Sequence, residues 1–386
     1  MEPPILFSRK RTIQLAALAL GIGAVIGAFW PPMFGLGALV GLGLSSWRWK
    51  PLWLISACFG LGLLRGWLAA PDVNSNGPAR PNVVVEALGQ VRDWTTRQIN
   101  RSLPQPEAPF LAGLLLGSRE EIPPEVRNDF RITGTSHIVA VSGYNVTIVI
   151  TMIAAALRTL PLPRVTRSIL VFAGIIGFVI LTGGSPSVVR AGIMGALVVL
   201  AREVGRLSDG VHGLIVASSA MVLVSPATLA SIGFQLSVAA TAGLMLFSER
   251  FEERLAFVPK VFGLRGSLAS TLSAILVTQP LISLYFGQVS LVAPMTNLLV
   301  LPLIPLAMAT GFSVAMTVGI VPVLGPLVGW IAWAPLTAII GIVRLSASLP
   351  LAAVKIPTLG SLLVAGGFAA LAAFFAFAER KRYEPA

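Results

Sequence analysis

Acidic residues are scarce in this sequence and unevenly placed. Its 386 residues hold 16 Asp and Glu against 28 Lys and Arg, and none of the acids falls between positions 130 and 202 or between 254 and 378. Proton-coupled carriers commonly work through carboxylates buried at mid-membrane, so these long acid-free stretches count against a proton antiporter. Histidine is rarer, with only His137 and His212, and a zinc site of the usual His-rich kind cannot be assembled from the pair. The single cysteine, Cys58, excludes an intrachain disulfide. No Gly-x-Ser-x-Gly elbow occurs, and no lysine both follows a glycine and precedes Ser or Thr, so a phosphate loop is absent. The expectation is a chain with no catalytic residues, no metal and no cofactor.

What the sequence has in excess is apolar surface. It is 55% hydrophobic and 11% charged, with a mean hydropathy of +0.85, more than a soluble core of this length can hide. The bilayer is then the solvent, and helices follow because lipid offers no partner to unpaired backbone groups. The expected fold is an all-α polytopic membrane protein with about twelve transmembrane helices, give or take two. The apolar runs lie near 12–29, 33–46, 51–69, 137–157, 168–182, 187–201, 211–224, 232–247, 268–286, 294–319, 326–349 and 358–378.

Basic residues orient this map. With the N-terminus inside, the inner segments collect clusters such as Arg9 to Arg11, Arg158 to Arg167, Arg250 to Arg265 and Arg380 to Arg382, while the short outer loops hold only Lys355. Both termini are therefore expected on the cytoplasmic side. The division is a three-helix region over 1–70, an extracytoplasmic linker with interfacial helices over 71–136, and a transmembrane domain over 137–386. In the linker, Leu88, Val91, Thr95 and Ile99 recur at helical spacing with Arg92, Arg97 and Arg101 elsewhere, which predicts a helix on the membrane surface or an ordinary solvated one. Phe110 to Gly117 is apolar but too short to span, so a buried or re-entrant piece is expected.

The charges inside the predicted spans are cations: Arg65, Arg190 and Arg344. A guanidinium at mid-bilayer costs at least about 3 kcal/mol on insertion scales and so faces a wet cavity, carbonyls or an anion, or snorkels to an interface. Arg190 follows the break Gly183-Gly184-Ser185-Pro186-Ser187 near a helix start, where exposed amides also favour an anion.

Three ordered blocks carry a resemblance. Thr133-Gly134-Thr135-Ser136-His137-Ile138-Val139-Ala140-Val141-Ser142-Gly143-Tyr144-Asn145-Val146 resembles the signature of the ComEC/Rec2 competence proteins, Pro186 to Met194 resembles that family's second block, and Gly233-Phe234-Gln235-Leu236-Ser237 its third. Weaker similarities are Leu114 to Arg119 and Phe286 to Ser290, leading to Asn297 and Pro302. The resemblance implies a channel in the bacterial inner membrane that translocates single-stranded DNA into the cytoplasm during natural transformation. Family members often add an oligonucleotide-binding-like domain and a metallo-β-lactamase-like domain. Here the outer segment is short for such a barrel and nothing His-rich follows the last span, so an extracytoplasmic DNA receptor or nuclease and a cytoplasmic ATP-driven translocase are expected as separate partners. Tyr144-Asn145 stands where many members have Leu-His, so that second histidine is absent here.

The residues expected along a DNA path are His137, Ser142, Tyr144, Asn145, Arg190, Gln235 and Asn297. Tyr144 offers a stacking face, and His137 and Asn145 offer donors to phosphate. The same polar cluster also reads as a helix start whose side chains satisfy freed carbonyls, and Gln235 and Asn297 as interhelical hydrogen-bonding residues. A small-molecule or anion permease would share the topology, and a membrane scaffold would need no cavity.

Overall fold

The computed structural model describes residues 83–380. The spans expected at 12–29, 33–46 and 51–69, with Cys58 and Arg65, lie outside the described residues. Within them the chain is almost wholly helical: α1 (Val83–Ser102), α2 (Glu107–Leu116), α3 (Pro124–Ile132), α4 (Ser136–Val139), α5 (Gly143–Arg158), α6 (Arg164–Leu181), α7 (Pro186–Glu203), α8 (Gly210–Val224), α9 (Ile232–Arg254), α10 (Leu264–Phe286), α11 (Ala293–Val300), α12 (Ile304–Ile320), α13 (Gly325–Ala347) and α14 (Thr358–Arg380). Two short strands, β1 (Gln288–Ser290) and β2 (Ala353–Lys355), pair antiparallel with Val289 opposite Val354.

Each apolar run predicted beyond residue 137 falls on helix, and two are interrupted: the run at 294–319 by the tight turn Leu301–Leu303 between α11 and α12, and the first. Residues 140–142 are not helical, and Ala140 and Ser142 take extended backbone angles before α5 starts at Gly143. Among the described residues, five helical stretches are long and apolar enough to cross a bilayer: Arg164–Leu181, Ile232–Arg254, Leu264–Phe286, Ala293–Ile320 and Gly325–Ala347. They tolerate internal Pro280 and Pro335, as membrane helices do when neighbouring groups meet the freed carbonyls.

Two compact units make up the chain, one containing Ile193–Val238 and the other Asn82–Gly192 with Ala239–Ala386. In the first, Asp209 caps α8 by accepting from the amides of Val211 (2.9 Å) and His212 (3.2 Å). That accounts for the local sequence around His212.

The second unit is organised around α2. All ten of its residues are buried, which matches the expectation of a buried or re-entrant piece for this run. The helix α1 doubles back on α2 through Leu103–Pro106, and both pack along α12 and α13. On α1 the buried side is formed by Thr95, Thr96, Ile99 and Leu103, so the packed face keeps Thr95 and Ile99 of the predicted stripe while Val91 is 52% exposed. Close approach is allowed by missing side chains. A Cβ on Gly311 would strike Leu111, and one on Gly325 or Gly329 would strike Ser102. Glycines four apart on a membrane helix let a neighbouring backbone come into contact. Further along α13, Thr337 donates to a carboxylate oxygen of Glu107 at 2.8 Å. Nearer the end of α13, Arg344 acts on Asp129 of α3: partial burial raises the Asp129 carboxyl above its ordinary range, and the arginine's charge opposes that rise.

A polar junction of three chain breaks

The residues of the first sequence block are held by hydrogen bonds between breaks in three helical segments. Where α4 ends, the chain leaves the helix with Ala140 and Ser142 extended, so carbonyls there lack helical partners. Ser187, in the first turn of α7, donates its hydroxyl to the Val141 carbonyl at 3.1 Å. Ser142 caps nothing; its hydroxyl donates to Oδ1 of Asn145 at 3.1 Å. Asn145 in turn donates through Nδ2 to the Leu114 carbonyl in the last turn of α2, also at 3.1 Å. The amide is only 1% exposed, and the bond satisfies a helix-end carbonyl that no water reaches easily.

Glycines set the spacing of this junction. Gly117 ends α2 in the left-handed conformation, with φ of 77°, and a Cβ there would lie 2.8 Å from the Thr182 carbonyl oxygen at the end of α6. Gly183 and Gly184 then reverse the chain with φ of 78° and 61°. Gly143 leaves room for α7: a Cβ on it would lie 3.3 Å from Ala191 Cβ and 3.4 Å from Arg190 Nη2.

Arg190 thus sits against the start of α5 and is 4% exposed. It lies one turn into α7, behind the Ser185 and Ser187 hydroxyls, which are 3.3 Å apart. A second arginine, Arg92 of α1, borders the same break, with Nη1 3.8 Å from where a Cβ of Gly183 would be. Guanidinium groups, hydroxyls and the amide end of a helix form a donor-rich surface suited to an anion.

The structure joins some of the sequence-predicted residues and separates others. Ser142, Asn145 and Arg190 belong to one junction. Tyr144 lies beside it in the first turn of α5 with its side chain 44% exposed, and His137 is exposed on the one-turn helix α4. Gln235 belongs to the other compact unit, where its Nε2 donates to the Leu229 carbonyl at 2.8 Å. Asn297 is buried in α11, and among the described residues its Oδ1 has no hydrogen-bond partner.

Two groups escaped the reading from sequence. Glu107 is 6% exposed and bound to Thr337, although it lies in the segment assigned outside the membrane. Its position directly before an apolar run was the available signal, since an acid in a first helical turn is favoured by the helix dipole. Arg92 looked like one of several surface arginines, and only the fold brings it to Gly183. Among the described residues no three His, Cys, Asp or Glu come together as a metal-binding group.

Comparison with known proteins gives this geometry a context. A family model described as "Competence protein" matches residues 114–381. The chain is 27% identical over 207 residues to ComE operon protein 3 of Bacillus subtilis (strain 168), covering 53% of this chain and 25% of that protein. It is 28% identical over 233 residues to the uncharacterized protein YcaI of Escherichia coli (strain K12), covering 58% of this chain and 30% of that protein. The matches therefore span about a third or less of each relative's length. No solved structure matches.

Proposed function

This chain belongs to the competence protein family, and on that premise we propose that it conducts one strand of DNA through the bacterial inner membrane into the cytoplasm. The observation that carries the reading is the junction around Arg190. A cation sits one turn into α7 against the Gly143 gap, with Ser187 three positions before it and Arg92 at Gly183 on the same chain break. Fixed guanidinium groups replace part of the hydration that a phosphate loses on leaving water, and the amide end of α7 adds partial positive charge at the same place. Tyr144 presents an aromatic face nearby for a passing base.

In this reading the chain is a conduit without nuclease or ATPase activity. Separate proteins receive the duplex outside and pull the strand inside, and both termini lie in the cytoplasm, as the clustering of basic residues favours. The test is uptake by the organism with the gene deleted and then restored. Labelled DNA should bind the deletion strain but fail to reach a nuclease-resistant internal pool, and the restored gene should recover it. Normal internalisation by the deletion strain would reject the conduit. Saturable passage of a small anion through proteoliposomes holding this chain, with no DNA phenotype in cells, would favour a permease.

A further inference from the structure

The α1–α2 hairpin reaches far along the membrane-length helix α13. Its tip, at Ser102, lies against Gly325 and Gly329 near the start of α13, and Glu107, the first residue of α2, meets Thr337 midway. Twelve residues separate Gly325 from Thr337, which is about 18 Å of helix at 1.5 Å per residue. That distance is more than half of the roughly 30 Å hydrocarbon core, so the hairpin tip lies beside α13 at membrane depth instead of across its end.

Burial of α1 is one-sided. Thr95, Thr96, Ile99 and Leu103 pack inward, while Gln90, Arg97, Asn100 and Arg101 are exposed. Gln90, Arg97 and the half-buried Trp94, which also packs against the core, help to line an open groove of about 710 Å³ along this helix. Arg101 follows Arg97 by one turn, about 6 Å further along the axis. Two guanidiniums turned to lipid at this depth would cost at least about 3 kcal/mol each, and Gln90 and Asn100 would add to that. Water and an anionic ligand are the surroundings that fit. Asp93, the one acid on the groove, lies 3.4 Å from Arg92 in an ion pair. Asn100 donates to a Glu121 carboxylate oxygen, so Arg97 and Arg101 are the two cations of this side beside one acid that Asn100 already engages.

We propose that the exposed side of α1 is a wall of the water-filled path, along which Trp94 stacks a base of a single DNA strand while Arg97 and Arg101 bind its phosphates. The proposal rests on the conduit reading above and extends it from the junction at Arg190 to the length of the hairpin. An aromatic face with guanidiniums at helical spacing on one side suits a strand of any sequence, because every base has a stacking face and every nucleotide a phosphate. The contacts are few and exposed, so the strand is held weakly and can move on.

The experiment uses the full chain in membrane vesicles with Cys58→Ser as background. Single substitutions Gln90→Cys, Arg97→Cys and Arg101→Cys should react with a charged, membrane-impermeant thiosulfonate, whereas Ile99→Cys should not. An oligothymidylate should slow labelling at positions 97 and 101 severalfold, and the same concentration of thymidine monophosphate should not. In cells, Arg97→Gln with Arg101→Gln should lower DNA internalisation on the order of tenfold at matched abundance, and the corresponding double lysine variant should recover most of it. Absence of labelling at 97 and 101, or labelling that the oligonucleotide leaves unchanged in a chain whose cells internalise DNA, overturns the stripe alone. Normal internalisation by the deletion strain overturns the conduit itself.

Discussion

The side-chain amide of Asn145 donates to the carbonyl of Leu114, 31 positions earlier in the chain, and so ties the start of α5 to the end of the buried helix α2. The bond stands where a resemblance read from sequence pointed to a phosphate donor. Nδ2 is committed to the backbone, and Oδ1 accepts from Ser142. Asn145 therefore ties the start of α5 to the end of α2 through its own side chain.

Asn145→Ala should lower stability by about 1–3 kcal/mol, the usual cost of leaving a buried carbonyl unsatisfied. Asn145→His keeps a donor and should lose less. Thermal unfolding of the purified protein in detergent checks both, and equal melting temperatures for Asn145→Ala and the parent would show that the Leu114 carbonyl finds another partner.

Arg190→Gln should preserve the helix, since glutamine is a good helix former of similar reach, yet reduce DNA internalisation about tenfold through loss of the fixed charge. Arg190→Lys retains the charge without the bidentate geometry and should fall between. Membrane abundance must be matched by immunoblot. Full uptake by Arg190→Gln would make this arginine a packing residue.

Three left-handed glycines should rank by what surrounds them. Gly205→Ala and Gly184→Ala meet nothing closer than 4.0 Å and should each cost about 1 kcal/mol from backbone conformation alone. Gly117→Ala carries the same penalty and also places Cβ 2.8 Å from the Thr182 carbonyl oxygen, so it should be the most damaging. Melting temperatures of the three variants give the order directly.

Alanine should have opposite effects at two positions of α13. At Gly341 a Cβ meets nothing within 4 Å, and Gly341→Ala should stabilise by up to about 1 kcal/mol through helix propensity. At Gly329 a Cβ would strike the Ser102 backbone, so Gly329→Ala should destabilise by about 1–3 kcal/mol and loosen the hairpin tip. Faster proteolysis near residue 103 in Gly329→Ala, and not in Gly341→Ala, would locate the effect.

Much of this was legible in the residues themselves. The length and apolarity of the runs after residue 137 determine helices, because in lipid each backbone group has to bond within its own segment. Phe110 to Gly117 announced itself as buried by being apolar and too short to span. Gly183 to Ser187 marked a chain reversal, since only glycine takes the left-handed conformation without strain. Tertiary structure decided the rest. Sequence could not say that Asn145 faces Leu114, that Arg92 comes to the same break as Arg190, or that Gln235 belongs to a different compact unit. Nor could periodicity place α1: an amphipathic pattern reads alike on a membrane surface, in water or beside a wet path, because it records which side is polar and not what that side meets. Ser102 comes against Gly325 and Gly329, and a close approach between residues over 220 positions apart is set by the folded chain as a whole.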